Sequence, residues 1–417
     1  MNALGYPPLP IVILLFVFVG ISIRKIGRLQ LPIWLIMTLA ALAVLVTRQI
    51  TVPEAIRSIN ADVILYLLGV FIIGQAFEES NYLEHLLLTI LQTFTGIKWL
   101  LGLLIFFSAI ISMLLMNDTA AIIATPALIL LHQRFRLPLI PLLLTLAYTI
   151  TVSSIASPIG NPQNLLIAMK LDNPFVLFPQ HLLMPTLLGL VILYFYIWFC
   201  FRRQFQQPVK EDIHNLDVDV DSRLARLAKL SMTIMLLLIG YDILNALLAF
   251  AVAIPFSAIA LISASPIVLL SPRRFTLIRH IDWHTIVFFI ALFIFMESVW
   301  LSGYFQTIVE QSHIQVTSKS TIVWLSLLLS QLISNVPLVA LYLPLLAQTT
   351  TQHYLLLAMA STIAGNLLIL GAASNIIIIQ NAEKRGVKAF GFWQFLIYGI
   401  PVTLLQIMVY FLFLTSW

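Results

Sequence analysis

The chain has 417 residues, of which 61% are hydrophobic and only 9% are charged, and its mean hydropathy is +1.02. Soluble domains carry about 25% charged residues, so this chain cannot cover a water-facing surface. The composition excludes a soluble globular protein and predicts roughly ten membrane-spanning helices of about 20 residues each. The net charge of +5 is attributed to loops that set membrane orientation, so nucleic acid is not expected as a partner. The single cysteine, Cys200, excludes a disulfide framework.

Apolar runs separated by polar residues predict the helices of the first half in chain order. They lie near 9–23, 31–47 and 62–77, then a mixed segment at 79–97, a long run at 99–131 interrupted at Met116–Thr119, a second long run at 138–170 interrupted at Ser157–Pro162, and a span at 177–200. Basic residues follow the first apolar run instead of preceding it, so a cleavable signal peptide is not predicted. The hydrophilic residues 202–229 are predicted to form a cytoplasmic linker.

The second half repeats this order of spans and interruptions. Its segments lie near 230–250, 255–271 and 283–301, with a mixed segment at 303–318, a long run at 319–347 interrupted at Ser334–Pro337, another at 353–381 interrupted at Gly371–Asn375, and a last span at 392–416. Polar markers recur at similar offsets: Asp62 and Asp282 are 220 positions apart, Asn117 and Ser334 are 217 apart, and Gly160 and Asn164 precede Gly371 and Asn375 by 211. We therefore predict two repeats, 1–201 and 230–417.

The basic residues predict how these segments cross the membrane. Suppose that 99–131 and 319–347 are re-entrant hairpins, whereas 138–170 and 353–381 cross once as split helices. All but four of the 22 Lys and Arg residues then fall on the linker's side, the exceptions being Arg48, Arg57, Lys170 and Lys319. That side is therefore predicted to be cytoplasmic, with both termini outside the inner (plasma) membrane. Five crossings per repeat make the repeats inverted, and inverted repeats with broken helices are typical of secondary transporters.

The four interruptions are the candidate binding site. Unwound backbone in hydrocarbon costs several kcal/mol per unpaired group unless it lines a polar cavity. Side-chain and carbonyl oxygens at such places suit a sodium ion, and helix N-termini favour an anion. Asn, Ser and Pro also cap or kink helices that bind nothing, but four interruptions at matched positions favour a site. The candidate binding residues are Asn117, Asp118, Thr119, Asn161, Gln163, Asn164, Ser334, Asn335, Ala373, Ser374 and Asn375.

Three carboxylates within apolar segments are candidates for ion coupling. Asp118 at the first hairpin tip is predicted to carry a proton or to bind a cation, the alternative being a cap for the hairpin's second helix. Asp242 and Glu297 are possible relay residues, or structural acids that are neutral or hydrogen-bonded. The sequence has no His/Glu metal motif and no GxSxG, so neither an enzyme nor a cofactor is predicted.

Four strings carry a resemblance to a known superfamily: MNDTAAIIATPALILL, SPIGNPQNLLI, SNVPLVALYLPLL and LILGAASNIIII. They resemble the paired hairpin tips and paired unwound helices of the ion transporter superfamily, which includes arsenite permeases, citrate-type permeases, sodium/proton antiporters and divalent-anion/sodium symporters. The resemblance implies a scaffold part and a moving transport part, often in a homodimer, with elevator-like alternating access. It further implies that Asn161–Asn164 and Ala373–Asn375 complete two cation sites beside the hairpin tips.

The chain departs from the carboxylate symporters, which carry Ser-Asn-Thr at both tips. The first tip reads Asn117-Asp118-Thr119, and the second has Val336 in place of the threonine. An aspartate repels a dianion unless a cation or proton intervenes, so a small oxyanion or weak acid is favoured. The resulting hypothesis is a sodium- or proton-coupled secondary transporter of a small anion. A sodium/proton antiporter and, in another class, an ion channel remain the alternatives.

Overall fold

The computed structural model describes residues 7–23, 25–26, 29–92, 96–205, 219–248, 254–312 and 314–415. Within these ranges the chain is helical, apart from one antiparallel pair of two-residue strands, β1 (Lys25–Ile26) and β2 (Leu29–Gln30). Six of the described helices are long and apolar enough to cross a membrane, and shorter apolar helices accompany them. The prediction of an all-α, multi-pass membrane protein is confirmed.

The first half contains eleven described helices. They are α1 (Leu9–Ile23), α2 (Ile33–Val46), α3 (Val52–Ser58), α4 (Ala61–Glu79), α5 (Tyr82–Gln92), α6 (Ile97–Leu115), α7 (Asn117–Phe135), α8 (Leu139–Ser154), α9 (Pro162–Ala168), α10 (Pro174–Phe178) and α11 (Met184–Phe205), with a π-turn at Pro179–Leu183 joining the last two. Helix α3 was not predicted because it is short and polar. It begins with a capping box in which Thr51 and Glu54 exchange hydrogen bonds.

The second half contains ten described helices. They are α12 (Ser222–Leu248), α13 (Phe256–Leu270), α14 (Arg274–His280), α15 (Trp283–Leu301), α16 (Tyr304–Gln311), α17 (Lys319–Ile333), α18 (Asn335–Tyr342), α19 (Thr351–Ile363), α20 (Ala373–Lys384) and α21 (Phe392–Thr415). A 3₁₀ turn at Leu343–Leu346 extends α18, and two more, at Ala364–Asn366 and Ile369–Gly371, separate α19 from α20.

The linker predicted at 202–229 is shorter in the structure. Helix α11 continues through Arg202 and Arg203, and α12 begins at Ser222, so both ends of the hydrophilic stretch are helical. Residues 206–218 lie outside the described residues. The prediction ended each span at its first charges, but Lys and Arg side chains allow a helix to continue past the apolar core because their charged ends reach toward water.

Helices α4 and α15 are equivalent in form and run in opposite directions. Each has 19 residues and a side-chain cap at its N-terminus, from Asn60 for α4 and from Asp282 for α15. The end of α4 meets the residues before α15, where His280 Nδ1 lies 3.0 Å from Glu79 Oε1. The equivalent cap residues are 222 positions apart, so the predicted match of Asp62 with Asp282 was wrong by two positions.

A close approach of backbones joins α4 to α13. At Gly69, a Cβ atom would lie 2.6 Å from the carbonyl carbon of Ala260. Next to this contact, Asp62 Oδ1 accepts a hydrogen bond of 2.9 Å from the Ser257 N–H, which ties the starts of the two helices together. Small residues at such crossings let membrane helices pack closely in the absence of a hydrophobic driving force.

We predict that Gly69→Ala destabilises the protein by about 1–3 kcal/mol, because the added methyl group cannot fit against the α13 backbone. The measurement is the midpoint of thermal unfolding in detergent. Gly240→Ala in α12 is the matched control, since a Cβ there meets open space and alanine favours the helix. An equal decrease in both variants would contradict the assignment of a specific close contact.

Candidate functional site

The two predicted hairpin tips have the same unusual backbone. Met116 separates α6 from α7 with φ 72° and ψ 153°, and Ser334 separates α17 from α18 with φ 70° and ψ 158°. This region is almost restricted to glycine, and a non-glycine residue in it costs about 1–3 kcal/mol. Such strain persists where the surrounding structure enforces it, commonly at functional sites.

The shared backbone corrects the predicted register of the tips. Met116, and not Asn117, is equivalent to Ser334. Asn117 therefore matches Asn335, and Asp118 occupies the position of Val336. The sequence comparison missed this by one residue because it matched polar side chains, whereas the turn is defined by its backbone. One tip therefore has a carboxylate where the other has an isopropyl group.

The first tip docks on the interruption between α8 and α9. The Asn117 N–H donates to the Gly160 carbonyl over 2.9 Å. Gly160 itself faces the end of α8, where a Cβ would lie 2.4 Å from the Ser154 carbonyl oxygen, so only glycine fits. Asn161 caps α9 by accepting a 2.8 Å hydrogen bond from the Asn164 N–H. The predicted break residues and the first tip are thus brought together.

The second tip lies against the interruption between α19 and α20 in a similar way. Asn335 approaches Gly365, where a Cβ would lie 3.6 Å from the Asn335 Nδ2 atom. Asn375 Nδ2 donates to the Gly365 carbonyl over 2.9 Å, and Asn164 Nδ2 donates to the Ser154 carbonyl over 3.0 Å. Each asparagine reaches ten residues back along the chain, so the two interruptions are closed by equivalent hydrogen bonds.

Thr362 of α19 links the first interruption to the second half. Its Oγ1 atom accepts from Asn161 Nδ2 at 3.2 Å and from Gln163 Nε2 at 3.3 Å, and it lies 3.3 Å from Asn164 Oδ1, to which it donates. Sequence reasoning missed this residue, because it lies near the end of α19 and joins the site through side chains about 200 positions earlier. Nearby, Gln331 of α17 was also missed; its Nε2 atom donates to the Ala364 carbonyl over 2.9 Å.

The two interruptions differ in how many polar atoms are left unpaired. At the second one, the oxygens Asn335 Oδ1, Ser374 Oγ and Asn375 Oδ1 are buried and have no hydrogen-bond partner among the described residues. At the first interruption, Asn117 Oδ1 is the one side-chain atom of the predicted residues that is buried without a hydrogen-bond partner among the described residues. An unpaired buried polar atom costs about 1–3 kcal/mol, so such atoms call for a ligand. Neutral oxygens suit a hard cation such as sodium. Ala373 contributes backbone only, as the first residue of α20.

Asp118 lies in the first turn of α7 beside Asn117. The residue before α7 is Met116, whose side chain makes no cap, and Asp118 is the acidic residue of the helix's first turn. The next residue, Thr119, packs against α4, where a Cβ at Gly74 would lie 3.3 Å from Thr119 Oγ1. The Asp118 carboxylate is half-buried, and it forms no ion pair with a basic side chain among the described residues.

The two predicted relay acids are not brought to the tips. Asp242 is half-buried in α12, which packs against α4, α10 and α13. Glu297 lies in α15 and lines a cavity together with Lys170. Within the described part of the chain, neither acid forms an ion pair or a hydrogen bond with the interruptions described above. Among the described residues, no group of three His, Cys, Asp or Glu side chains could hold a metal ion.

Polar helix interruptions within a multi-pass helical membrane protein define the class of secondary transporters, and they do not resemble the catalytic centre of an enzyme. A family model described as "Citrate transporter" (CitMHS) matches residues 13–364. The chain belongs to this citrate transporter family, a member of the ion transporter superfamily, so the resemblance seen in the sequence is confirmed. It is a membrane transporter of the anion-handling secondary type.

Relatives along almost the whole chain carry transporter or membrane-protein names. The silicon efflux transporter LSI3 of Oryza sativa subsp. japonica is 24% identical, over 94% of this chain and 93% of its own length. An uncharacterised transporter of Synechocystis is 24% identical over 97% of both chains. The inner membrane protein YbiR of Escherichia coli is 27% identical, over 85% of this chain and 88% of its own.

We predict that Thr362→Val destabilises the protein by about 1–3 kcal/mol, because valine leaves the amide groups of the first interruption without their shared partner. Thr362→Ser keeps the hydroxyl group and should therefore retain most of the wild-type stability. Thr151→Val is the matched control, since the Thr151 hydroxyl bonds only to Ala147 in its own helix. Thermal unfolding in detergent measures both; equal effects at the two threonines would contradict the cross-link.

Proposed function

We propose that this chain is an ion-coupled transporter of a small oxyanion or its weak acid, working by alternating access. The observation that carries the proposal is the set of buried, unpaired oxygens at the tips and helix interruptions. None of the candidate site residues is basic, so the charge of a solute there would be balanced by helix N-termini and bound cations. Citrate, from the family's name, and silicon, from the rice relative's name, both dissolve as weak oxygen acids.

The proposed architecture is two inverted repeats, 1–201 and 230–417. It is supported by the opposite directions of α4 and α15, the shared backbone at Met116 and Ser334, and the equivalent bonds of Asn164 and Asn375. In this architecture 99–131 and 319–347 are re-entrant hairpins, and 138–170 and 353–381 are split crossings. The positive-inside rule places the termini outside, in an inner (plasma) membrane, as in the name of the bacterial relative. A homodimer is proposed from the superfamily resemblance.

The two tips are proposed to bind different coupling ions. At the second interruption, the oxygens of Asn335, Ser374 and Asn375 form a sodium site. At the first interruption the amides of Asn161 and Gln163 already donate to Thr362, and the ionisable group at the adjacent tip is the Asp118 carboxylate. Asp118 is half-buried and has no ion-pair partner among the described residues, so it is proposed to bind a proton during transport.

Sodium/proton antiport without an organic or inorganic anion is the second candidate. The pairing of a carboxylate with a set of cation-binding oxygens is compatible with it. The two functions separate in proteoliposomes: antiport gives a sodium-driven pH change with no added anion, whereas the proposed transporter requires one. Tracer uptake of citrate, arsenite and silicic acid under sodium and pH gradients tests the proposal. Tracer uptake that does not depend on either the sodium gradient or the pH gradient would contradict ion coupling and favour a channel.

We predict that Asp118→Asn reduces uptake driven by a pH gradient at least tenfold, because the amide keeps the shape of the side chain but cannot carry the proton. Solute exchange in the absence of a gradient should persist. Asp242→Asn is the control, since that acid lies on α12 away from the tips. Wild-type pH-driven uptake by Asp118→Asn would exclude Asp118 as the coupling group, and loss in Asp242→Asn would instead identify a relay.

We predict that Ser374→Ala raises the half-saturating sodium concentration about tenfold, which corresponds to about 1.4 kcal/mol for one lost oxygen ligand. Two readouts apply: sodium-dependent uptake, and thermal stabilisation of the purified protein by sodium, which needs no solute. Ser298→Ala is the control, because that hydroxyl is buried but bonded to Phe295 within its own helix. An unchanged sodium response in Ser374→Ala would remove the second interruption from the sodium site.

A further inference from the structure

Two cavities lie at opposite ends of α4. One, of about 320 Å³, includes Asn60 and Lys170 in its wall and is called the Lys170 cavity. The other, of about 250 Å³, includes Glu79 and Arg385 and is called the Arg385 cavity. Asn60 caps the start of α4 and Glu79 is its last residue, so the cavities are separated by the length of one 19-residue helix. A helix of this length spans about 28 Å, which is close to the thickness of the hydrocarbon core.

The walls of the two cavities are built from equivalent positions of the proposed repeats. Pro126 of α7 matches Pro344 after α18, in the register set by Met116 and Ser334. In the same register Ile122 of the Arg385 cavity matches Ala340 of the Lys170 cavity. The cavities are therefore counterparts, and each extends along the helix that follows a hairpin tip.

Each cavity also leads toward a helix interruption. Lys170 lies six residues after Asn164, and Asn381 of the Arg385 cavity lies six residues after Asn375. Six residues of helix correspond to about 9 Å. Both cavities thus begin within about two helical turns of the candidate binding groups and lie at opposite ends of α4, as the two ends of one transport path would.

The chemistry of the two walls differs at equivalent positions. Lys170 stands where the other cavity has Asn381, and Trp300 stands where the other has Glu78. At these two positions an ammonium group and an indole N–H, which only donate hydrogen bonds, stand in place of an amide, which donates and accepts, and a carboxylate, which accepts when ionised.

The formal charges of the two cavities also favour an anion in the Lys170 cavity over the Arg385 cavity. The Lys170 cavity contains one cation and one anion, Lys170 and Glu297. The Arg385 cavity contains one cation and three carboxylates, Glu78, Glu79 and Glu84, of which Glu79 is paired with His280. In a low-dielectric wall such a difference changes the local concentration of a charged solute severalfold or more.

We propose that the Lys170 cavity is an anion-binding port of the transport path, and that the Arg385 cavity is its lower-affinity counterpart at the other membrane face. The proposal rests on the proposed function in that the bound anion is the transported solute. Lys170 and the Trp300 indole N–H bind the anion, and the negative charge of Glu297 disfavours anions of higher charge. The anion is loaded at the Lys170 face and released at the Arg385 face. In the proposed orientation the loading face is outside.

Charged thiol reagents test the proposal without knowledge of the solute. In a Cys200→Ser background, a single cysteine is placed in either cavity at the equivalent half-buried positions, by Ala340→Cys or by Ile122→Cys. Anionic sulfonatoethyl and cationic trimethylammonioethyl methanethiosulfonates, both membrane-impermeant, are applied to intact cells and to inverted vesicles. We expect each cysteine to react from one face only, and from opposite faces. The ratio of anionic to cationic reaction rates should be higher for Ala340→Cys than for Ile122→Cys.

The charge assignments are tested in the same two cysteine variants. Adding Lys170→Gln to Ala340→Cys should lower the anionic-to-cationic ratio about tenfold, and adding Glu297→Gln should raise it. Adding Asn381→Lys to Ile122→Cys should raise the ratio there, which transfers the property to the other cavity. Arg48→Gln removes a positive charge of the same predicted face outside the cavity and should leave the ratio unchanged.

Two results would overturn the proposal: reaction of both cysteines from the same face, or a ratio at Ala340→Cys that does not respond to Lys170→Gln. If Lys170→Gln lowers the amount of folded protein, the transfer variant Asn381→Lys decides the question by itself. Labelling does not depend on transport, so failure of the proposed function and failure of the port are distinguishable. If the cavities are charge-selective and accessible from opposite faces but the protein transports no anion, the two ports are confirmed and the proposed function is contradicted.

Discussion

The structure depends on one constraint, which is that every unwound stretch of backbone in a membrane must find polar partners within the protein. The helices break at four places, and hydrogen bonds to backbone carbonyls, some nearby in the sequence and some distant, pair polar groups there. Asn164 and Asn375 close their interruptions by donating to carbonyls ten residues earlier, and the N–H of Asn117 is taken up by Gly160. Lipid cannot replace these bonds, so they hold each interruption closed and fix the first tip against the break between α8 and α9.

That constraint also explains why the two halves are alike in backbone and unlike in chemistry. The strained conformation at Met116 and Ser334 requires the same supporting geometry, so the turn is preserved although the side chains differ. The side chains on the turn are free to diverge, and they place a carboxylate on one tip and valine on the other. Saturated amides around Thr362 and unpaired oxygens around Ser374 extend this asymmetry to the interruptions. The two tips thus share one backbone geometry but present different groups for binding a ligand.

The site could be predicted from the sequence only in outline. Polar residues within apolar runs predicted an interruption near each of the four helix breaks, because such breaks favour Asn, Ser, Gly or Pro. The fourth break spans residues 364–372, so it begins before the predicted Gly371, and residues 373–375 are helical. Thr362 and Gln331 could not be found in this way, since each becomes part of the site through contacts between segments distant in sequence. The pairing of the tips was off by one position, because side-chain similarity is a weaker guide to register than the backbone angle that defines the turn.

Composition and periodicity determined by themselves that this is a multi-pass helical protein of lipid bilayers, since so few charges leave no other solvent for its surface. They also placed most of the spans, and α1 and α15 have the predicted bounds. Only the tertiary structure decided which interruption each tip meets, which oxygens remain unpaired, and that Lys170 and Glu297 share one cavity. These facts depend on distances between residues far apart in the chain, which periodicity along one helix cannot encode.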